Sequence, residues 1–166
     1  MIKSIVFLFL IMNNPIEGFL GLNISELPYP AIEMDSEEGI KTYVVSDQEM
    51  VFLFKEVSLI IIETDNKGII KSISTDFKEI IDEDYYKDLV DKLGKPDQIK
   101  KMSAIINEDS EVLDSGNTAI STTGYLEECQ FVDKPMFIKW NKLDKDIVFS
   151  IFHDQGNTHL TINSSE

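Results

Sequence analysis

His153 and His159 flank a turn near the end of the chain, and paired carboxylates recur throughout it; chemistry, if any, would be done with these residues. Two histidines across a hairpin suggest a metal site. Pairing apolar with apolar sets Ile151 opposite Leu160 and Phe149 opposite Ile162. His153 then faces Thr158 and His159 faces Phe152, which puts the two rings on opposite faces. A closed zinc site needs about four convergent ligands, so both histidines are expected to face solvent and no metal is expected. Glu63-x-Asp65-x-Lys67-Gly68 has the outline of a calcium loop, but Lys67 stands where an oxygen ligand is required and Ser74 where the bidentate glutamate belongs.

The carboxylate runs are Asp82-Glu83-Asp84, Glu108-Asp109 and Glu127-Glu128. Acid–base catalysis needs two carboxyls in different environments inside a cleft, and runs on polar segments are solvated faces. Cys129 is alone, which excludes an internal disulfide, and Glu127 and Glu128 beside it would raise its pKa and blunt its reactivity. No Gly-x-Ser-x-Gly elbow and no glycine-rich phosphate loop occur. No enzyme activity and no cofactor are therefore expected.

What remains is charge. Thirty Asp and Glu face fifteen basic residues, all of them lysine, for a net charge of −15. Acid excess keeps a protein soluble and speeds its encounter with basic partners. Without arginine the chain lacks the usual bidentate reader of phosphate. Lys100-Lys101 is the only adjacent basic pair, so direct nucleic-acid binding is not expected.

The elements that must position these groups begin with an ambiguous segment. Lys3 precedes an apolar run from Ile5 to Met12, the layout of a secretory signal, with a cut expected after Gly18. Residues 1–18 then form the signal and 19–166 a single domain. The run is too short to span a bilayer, which takes about 20 residues. The alternative is a buried strand from Ile2 to Ile11. Export, into a periplasm, is the expected localisation, with the cytoplasm as the alternative.

Residues 15–39 read as irregular, punctuated by Pro15, Gly18, Gly21, Pro28 and Pro30. Thr42–Val45, Met50–Phe54 and Val57–Glu63 read as strands. Asn66-Lys67-Gly68 suits a three-residue hairpin loop, which sets Asp65 opposite Ile69, Glu63 opposite Lys71 and Ile61 opposite Ile73. One helix is expected from Glu83 to Leu93. Asp82 or Asp84 caps it, Tyr85, Leu89 and Leu93 form its apolar stripe, and Gly94 and Pro96 stop it. Residues 97–130 are polar and poorly periodic, with short strands expected at Met102–Ile106 and Gly124–Phe131 around an acidic loop at 107–114. Met136–Trp140, Ile147–His153 and His159–Asn163 read as closing strands.

Two stretches share a plan of strand, Asp-led turn and strand, with Asp65 and Asp154 lying 89 residues apart. They suggest pseudo-halves at about 19–76 and 77–166. Leu93-Gly94-Lys95-Pro96-Asp97 at a helix end, followed by a strand with Trp140 and a hairpin, resembles the BamE and β-lactamase-inhibitor-protein-like family. The resemblance covers residues 82–163 and implies helices on one face of an antiparallel sheet and a protein-binding role. It departs in a long insertion after Pro96, a single clear helix and the lack of a lipid-bearing cysteine.

The expected fold class is α+β: an antiparallel sheet of five or more strands with one principal helix packed on one face. The expected function is an acidic exported protein-binding module, an immunity or inhibitor protein that neutralises a basic toxin or enzyme. The expected partner-binding residues are Asp82, Glu83 and Asp84 at the helix start, Glu108, Asp109, Glu111 and Asp114 in the acidic loop, and Trp140. Trp140, the only tryptophan, suits either the core or an interface anchor. Two other functions stay open, a cytosolic DNA mimic and an enzyme with an unrecognised site.

Overall fold

Nine strands form one antiparallel sheet in the order β1-β2-β3-β4-β9-β8-β7-β5-β6. The computed structural model describes residues 16–37, 39–112 and 118–165. The strands are β1 (Ile32–Glu37), β2 (Ile40–Phe52), β3 (Lys55–Thr64), β4 (Ile70–Phe77), β5 (Gln98–Val112), β6 (Thr118–Glu128), β7 (Phe137–Asn141), β8 (Lys145–Phe152) and β9 (Asn157–Ser164). Among the described residues there is one α-helix, α1 (Glu83–Leu93), and three short 3-10 turns.

This corrects the α+β expectation. Strands make up more than half of the chain, and among the described residues α1 is the only helix of seven or more residues, so the fold is sheet-rich and not a sheet organised around a principal helix. The error lies in two stretches. Residues 97–130 carry two long strands, and the irregular stretch before residue 40 contains β1. Both are too polar and too weakly alternating to announce strands of this length.

One face of the sheet is the core. Reading across the registers, Trp140, Ile147, Ile162, Ile73 and Ile62 form one row, and Ile138, Phe149, Leu160 and Thr75 form the next. All nine are buried. Only part of this face lies under α1, through Leu89, Tyr85 and Val90; the N-terminal segment adds Ile16, Phe19 and Leu27. Asp82 caps α1 by accepting the Tyr85 N–H at 2.8 Å, and Gly94 at φ 78° ends it.

The hairpin at Asn66-Lys67-Gly68 forms with Gly68 at φ 78° and Asp65 N–H donating to Ile69 O. Beyond it the register differs from the simple continuation. Ile62 faces Ile73 and Glu63 faces Ser72, because a bulge follows Ile70. The extra residue keeps Ile70 and Ile73 on the same buried face, which strict alternation would forbid. The last hairpin is displaced by two residues from expectation, with Phe149 opposite Leu160 and Ile147 opposite Ile162. A two-residue shift preserves the faces, so the apolar sides still match. Ile73 pairs with Ile162, and these residues, like the turn aspartates, lie 89 apart.

The β2–β3 turn has Leu53 and Phe54 both at positive φ, 44° and 69°. Such backbone is strained for bulky residues, by about 1–3 kcal/mol each. Leu53 is buried, its carbonyl accepts the Tyr85 hydroxyl at 2.8 Å, and the Lys92 ammonium lies 3.6 Å from the centre of the Phe54 ring. The turn is thereby clamped to α1.

Ile16–Phe19 forms a 3-10 turn with Ile16 and Phe19 buried, and Glu17 accepts the Leu53 N–H. A cut after Gly18 would take Ile16 and Glu17 out of this packing. A chain starting at Phe19 is therefore expected to be less stable than one starting at Ile16 by about 2–5 kcal/mol, the range for losing a buried isoleucine. Urea denaturation of the two purified chains checks this.

Burial raises the Glu17 pKa above the ordinary carboxylate value, outweighing the backbone hydrogen bonds and Lys145 that lower it. The folded state thus holds the proton more tightly than the unfolded chain. The resulting stability is complete below the unfolded value, about 4.3, and is lost as pH rises through the folded value. Glu17→Gln cannot ionise, so it should exceed the wild type in stability at about pH 7 and match it by about pH 4. Thermal midpoints across that range measure the difference.

Candidate functional site

The helix start is a solvent-facing acidic corner. Asp82, Glu83 and Asp84 are exposed, but Asp82 is occupied as the cap and Glu83 lies 3.1 Å from Lys87 one turn on. Glu83 also lines a groove of about 330 Å³ with Tyr86, Lys87, Ile99, Cys129, Gln130, Phe131 and Val132. A second groove of about 320 Å³ shares Tyr86, Lys87 and Ile99 and continues past Val90 to Pro96. Tyr86 stacks on Phe131 with ring centres 4.2 Å apart. The Cys129 thiol faces the first groove with its pKa raised, first by burial and then by Asp133; the neighbours Glu128 and Glu127 contribute less, and Lys101 opposes them. It is a poor nucleophile in this setting.

Glu108, Asp109 and Glu111 are not in a loop. They belong to β5, where they face Thr122, Ser121 and Ala119 of β6. Asp114 lies outside the described residues. β5 pairs with β7 only through Gln98–Lys100, so from Met102 onward β5 and β6 form a two-stranded arm beyond the rest of the sheet. At its base Lys100 lies 3.9 Å from Glu128 and Lys101 lies 3.4 Å from Glu127. The acidic residues of the arm and those of the helix start sit on different elements.

Trp140 is not an interface anchor. Its side chain is completely buried, in an edge-to-face contact with Phe149 at 5.8 Å, and its indole N–H donates to Gly94 O at 2.8 Å. The strand text beside Phe137 carried this reading; the hydrogen bond, which satisfies the polar end of the ring, could not be read from sequence. Asn141 N–H donates to Asp97 Oδ2 at 2.6 Å, and the Lys142 ammonium donates to Leu93 O. The Leu-Gly-Lys-Pro-Asp motif is thus the element that fastens the end of α1 to β7.

The two histidines have separate partners. His153 Nε2 lies 2.9 Å from Pro135 O. His159 stands on the face of the sheet opposite the core, between Asp76 of β4 and Ser150 of β8. Its Nδ1 is 2.8 Å from Asp76 Oδ1 and its Nε2 is 3.0 Å from Thr161 Oγ1. With the proton on Nδ1, the order carboxylate, imidazole, hydroxyl matches that of a nucleophilic triad. Sequence reading missed this relay because its members come from two strands and follow no motif. Backbone N–H groups of paired strands are held in the ladder and do not supply free donors for an oxyanion. The described grooves do not include His159 or Thr161 in their walls.

Comparison with known proteins returns no match to a protein family, to a curated protein or to a solved structure.

Trp140→Phe deletes the indole N–H and leaves Gly94 O without its donor. The expected loss of stability is about 0.5–1.5 kcal/mol, the net worth of a typical hydrogen bond, because Gly94 is exposed and water can replace the donor. Chemical denaturation reads it directly, and an unchanged midpoint would show that the Trp140–Gly94 bond carries no weight.

Proposed function

We propose that the protein is an acidic binding module, exported and of the immunity or inhibitor kind, that docks on a basic protein and neutralises it. The observation that carries this reading is where the lysines go. Among the described residues, Lys41, Lys55, Lys87, Lys100, Lys101 and Lys139 each sit against a carboxylate of the same chain. Lys92 lies on Phe54, and Lys142 on the end of α1. Intramolecular pairing occupies these lysines, while the chain as a whole carries twice as many acidic as basic residues and a net charge of −15. Such a field attracts a basic surface over a Debye length, about 10 Å at 0.1 M salt.

The contact regions are the β5–β6 arm and the exposed corner at Asp82, Glu83 and Asp84. The apolar run from Ile5 to Met12 supports export. The fastening of Leu93–Asp97 to the tryptophan-bearing strand supports kinship with the BamE and inhibitor-protein-like family, whose members bind proteins. The Asp76–His159–Thr161 relay favours a second reading, an enzyme, but of the three only Asp76 lines a described groove, one of about 310 Å³, and His159 and Thr161 line none.

A pull-down from the source organism with mass spectrometry identifies the partner, and stopped-flow kinetics then test the mechanism. Neutralising Glu108, Asp109 and Glu111 together, as Gln, Asn and Gln, should slow association by about tenfold while changing dissociation less. The wild-type association rate should fall between 0.1 M and 1 M salt, as the screening length drops from about 10 Å to about 3 Å. Rates indifferent to both would leave the charge as a solubility device.

A further inference from the structure

The end of the sheet order raises a question that charge alone does not answer: how a partner would be held once attracted. β6 is the last strand, and nothing pairs with its outer side among the described residues. Its 11 residues contain no lysine and no proline, two of the devices by which edge strands resist pairing. The third device, a bulge, is on the other strand of the arm. The register shifts between Met102 and Ala104 and between Ile105 and Asn107 insert the extra residues into β5 and leave β6 continuous. The opposite sheet edge differs: β1 has six residues and a bulge at Met34.

The outward backbone groups can be named. Cys129 N–H donates to Ile99 O, so it points into the ladder. Alternation then turns the N–H groups of Glu128, Leu126 and Gly124 away from β5. Tyr125 and Leu126 are neighbours on opposite faces, yet 66% and 52% exposed. Both faces of the arm are therefore open there, and an isolated two-stranded ribbon is marginal in water until a third strand joins it.

We propose that the outer edge of β6 accepts an extended basic segment of the partner as an added antiparallel or parallel strand. This rests on the reading of the acid excess as partner-facing. Charge selects the occupant. Lys100 and Lys101 are paired with Glu128 and Glu127, and between Met102 and Leu126 the sequence has acidic residues and no basic ones. A second copy of the chain would bring −15 against −15. A lysine- or arginine-rich strand instead gains ladder hydrogen bonds and opposite charge together.

Amide hydrogen exchange by NMR on the full chain tests this, with an eight-residue peptide of alternating lysine and valine as probe. Two controls are the same peptide with glutamate for lysine and the same peptide with two central prolines. At low salt the basic peptide should slow exchange at Gly124, Leu126 and Glu128 by at least about tenfold, as pairing protects open amides. Tyr125, Glu127 and Cys129, already in the ladder, should change little, and neither control should protect the edge. Leu126→Pro, which removes an outward donor but no ladder bond, should abolish the protection at Gly124 and Glu128. Leu126→Thr should retain it and so guards against a folding defect. Binding that perturbs Asp82, Glu83 and Asp84 without edge protection overturns the strand addition and leaves the acidic docking standing. Equal protection by the acidic peptide overturns the role of charge at the edge. Failure of the basic peptide to bind at all overturns both.

Discussion

The burial of Trp140 beneath the end of α1 is the contact that the rest of the arrangement depends on. The indole gives its N–H to Gly94 O and its edge to Phe149, and it heads the row that runs through Ile147, Ile162 and Ile73 to Ile62. One side chain therefore joins the helix terminus, strand β7 and the centre of the sheet. With the terminus fixed, Leu89 and Tyr85 come down on the core, and Tyr85 reaches the Leu53 carbonyl at the strained β2–β3 turn. The turn in turn offers its Leu53 N–H to Glu17, which brings in the N-terminal segment. Coverage of the inner face is thus a chain of contacts that starts at one tryptophan. Removing that residue from the surface also decides what the surface can do: recognition there is left to charge, to open grooves and to backbone.

A thin cover over one face has a consequence for the other. The face that carries Asp76, His159 and Thr161 has no second layer on it among the described elements, and hydrogen bonds between neighbouring side chains order it. Asp76 is directly across from His159 in the ladder, and Thr161 is two residues along the same strand, so antiparallel pairing alone brings the three together. That is an economical way to order polar groups on an open sheet, and it accounts for the relay without catalysis. The grooves beside α1 have a similar origin. A single helix leaves gaps where it leaves the sheet, and the Tyr86–Phe131 stack fills only part of them.

Particular residues show which parts of this were legible in advance. The cap at Asp82, the stop at Gly94 and the glycine of the Asn66-Lys67-Gly68 turn were readable, because each depends on a local backbone requirement that few residue types meet. The register beyond that turn was not, because the bulge after Ile70 is required by burial of both Ile70 and Ile73, a tertiary demand. The turn at Leu53-Phe54 was invisible for the same reason: its residues are wrong for positive φ, and contacts with Tyr85 and Lys92 override propensity. The arm was misread most seriously. Its strands carry little apolar alternation, so only Met102–Ile106 and Gly124–Phe131 read as strand and the stretch between them as acidic loop. The helix was legible, but its share of the fold was overestimated because it was the one clear periodic element. At the site, the composition pointed to acid and the motif search to nothing; the strand edge, a property of topology, has no counterpart in local sequence.

The arm and the charge explain each other. A continuous strand edge of 11 residues, about 35 Å at roughly 3.4 Å per residue, is an invitation to pair with any extended chain, including another copy of itself. Proteins usually close that invitation with lysine, proline or a bulge, and here β6 has none of them. A strong net charge of one sign does the same work selectively. Copies carrying −15 repel one another, as do acidic strangers, while the backbone groups of Gly124, Leu126 and Glu128 stay open to a strand of the opposite sign. Protection by local lysines would have closed the edge to a basic partner first of all. Seen this way, the absence of basic residues between Met102 and Leu126 and the continuity of β6 are two halves of one constraint: the edge remains available, and charge determines to whom.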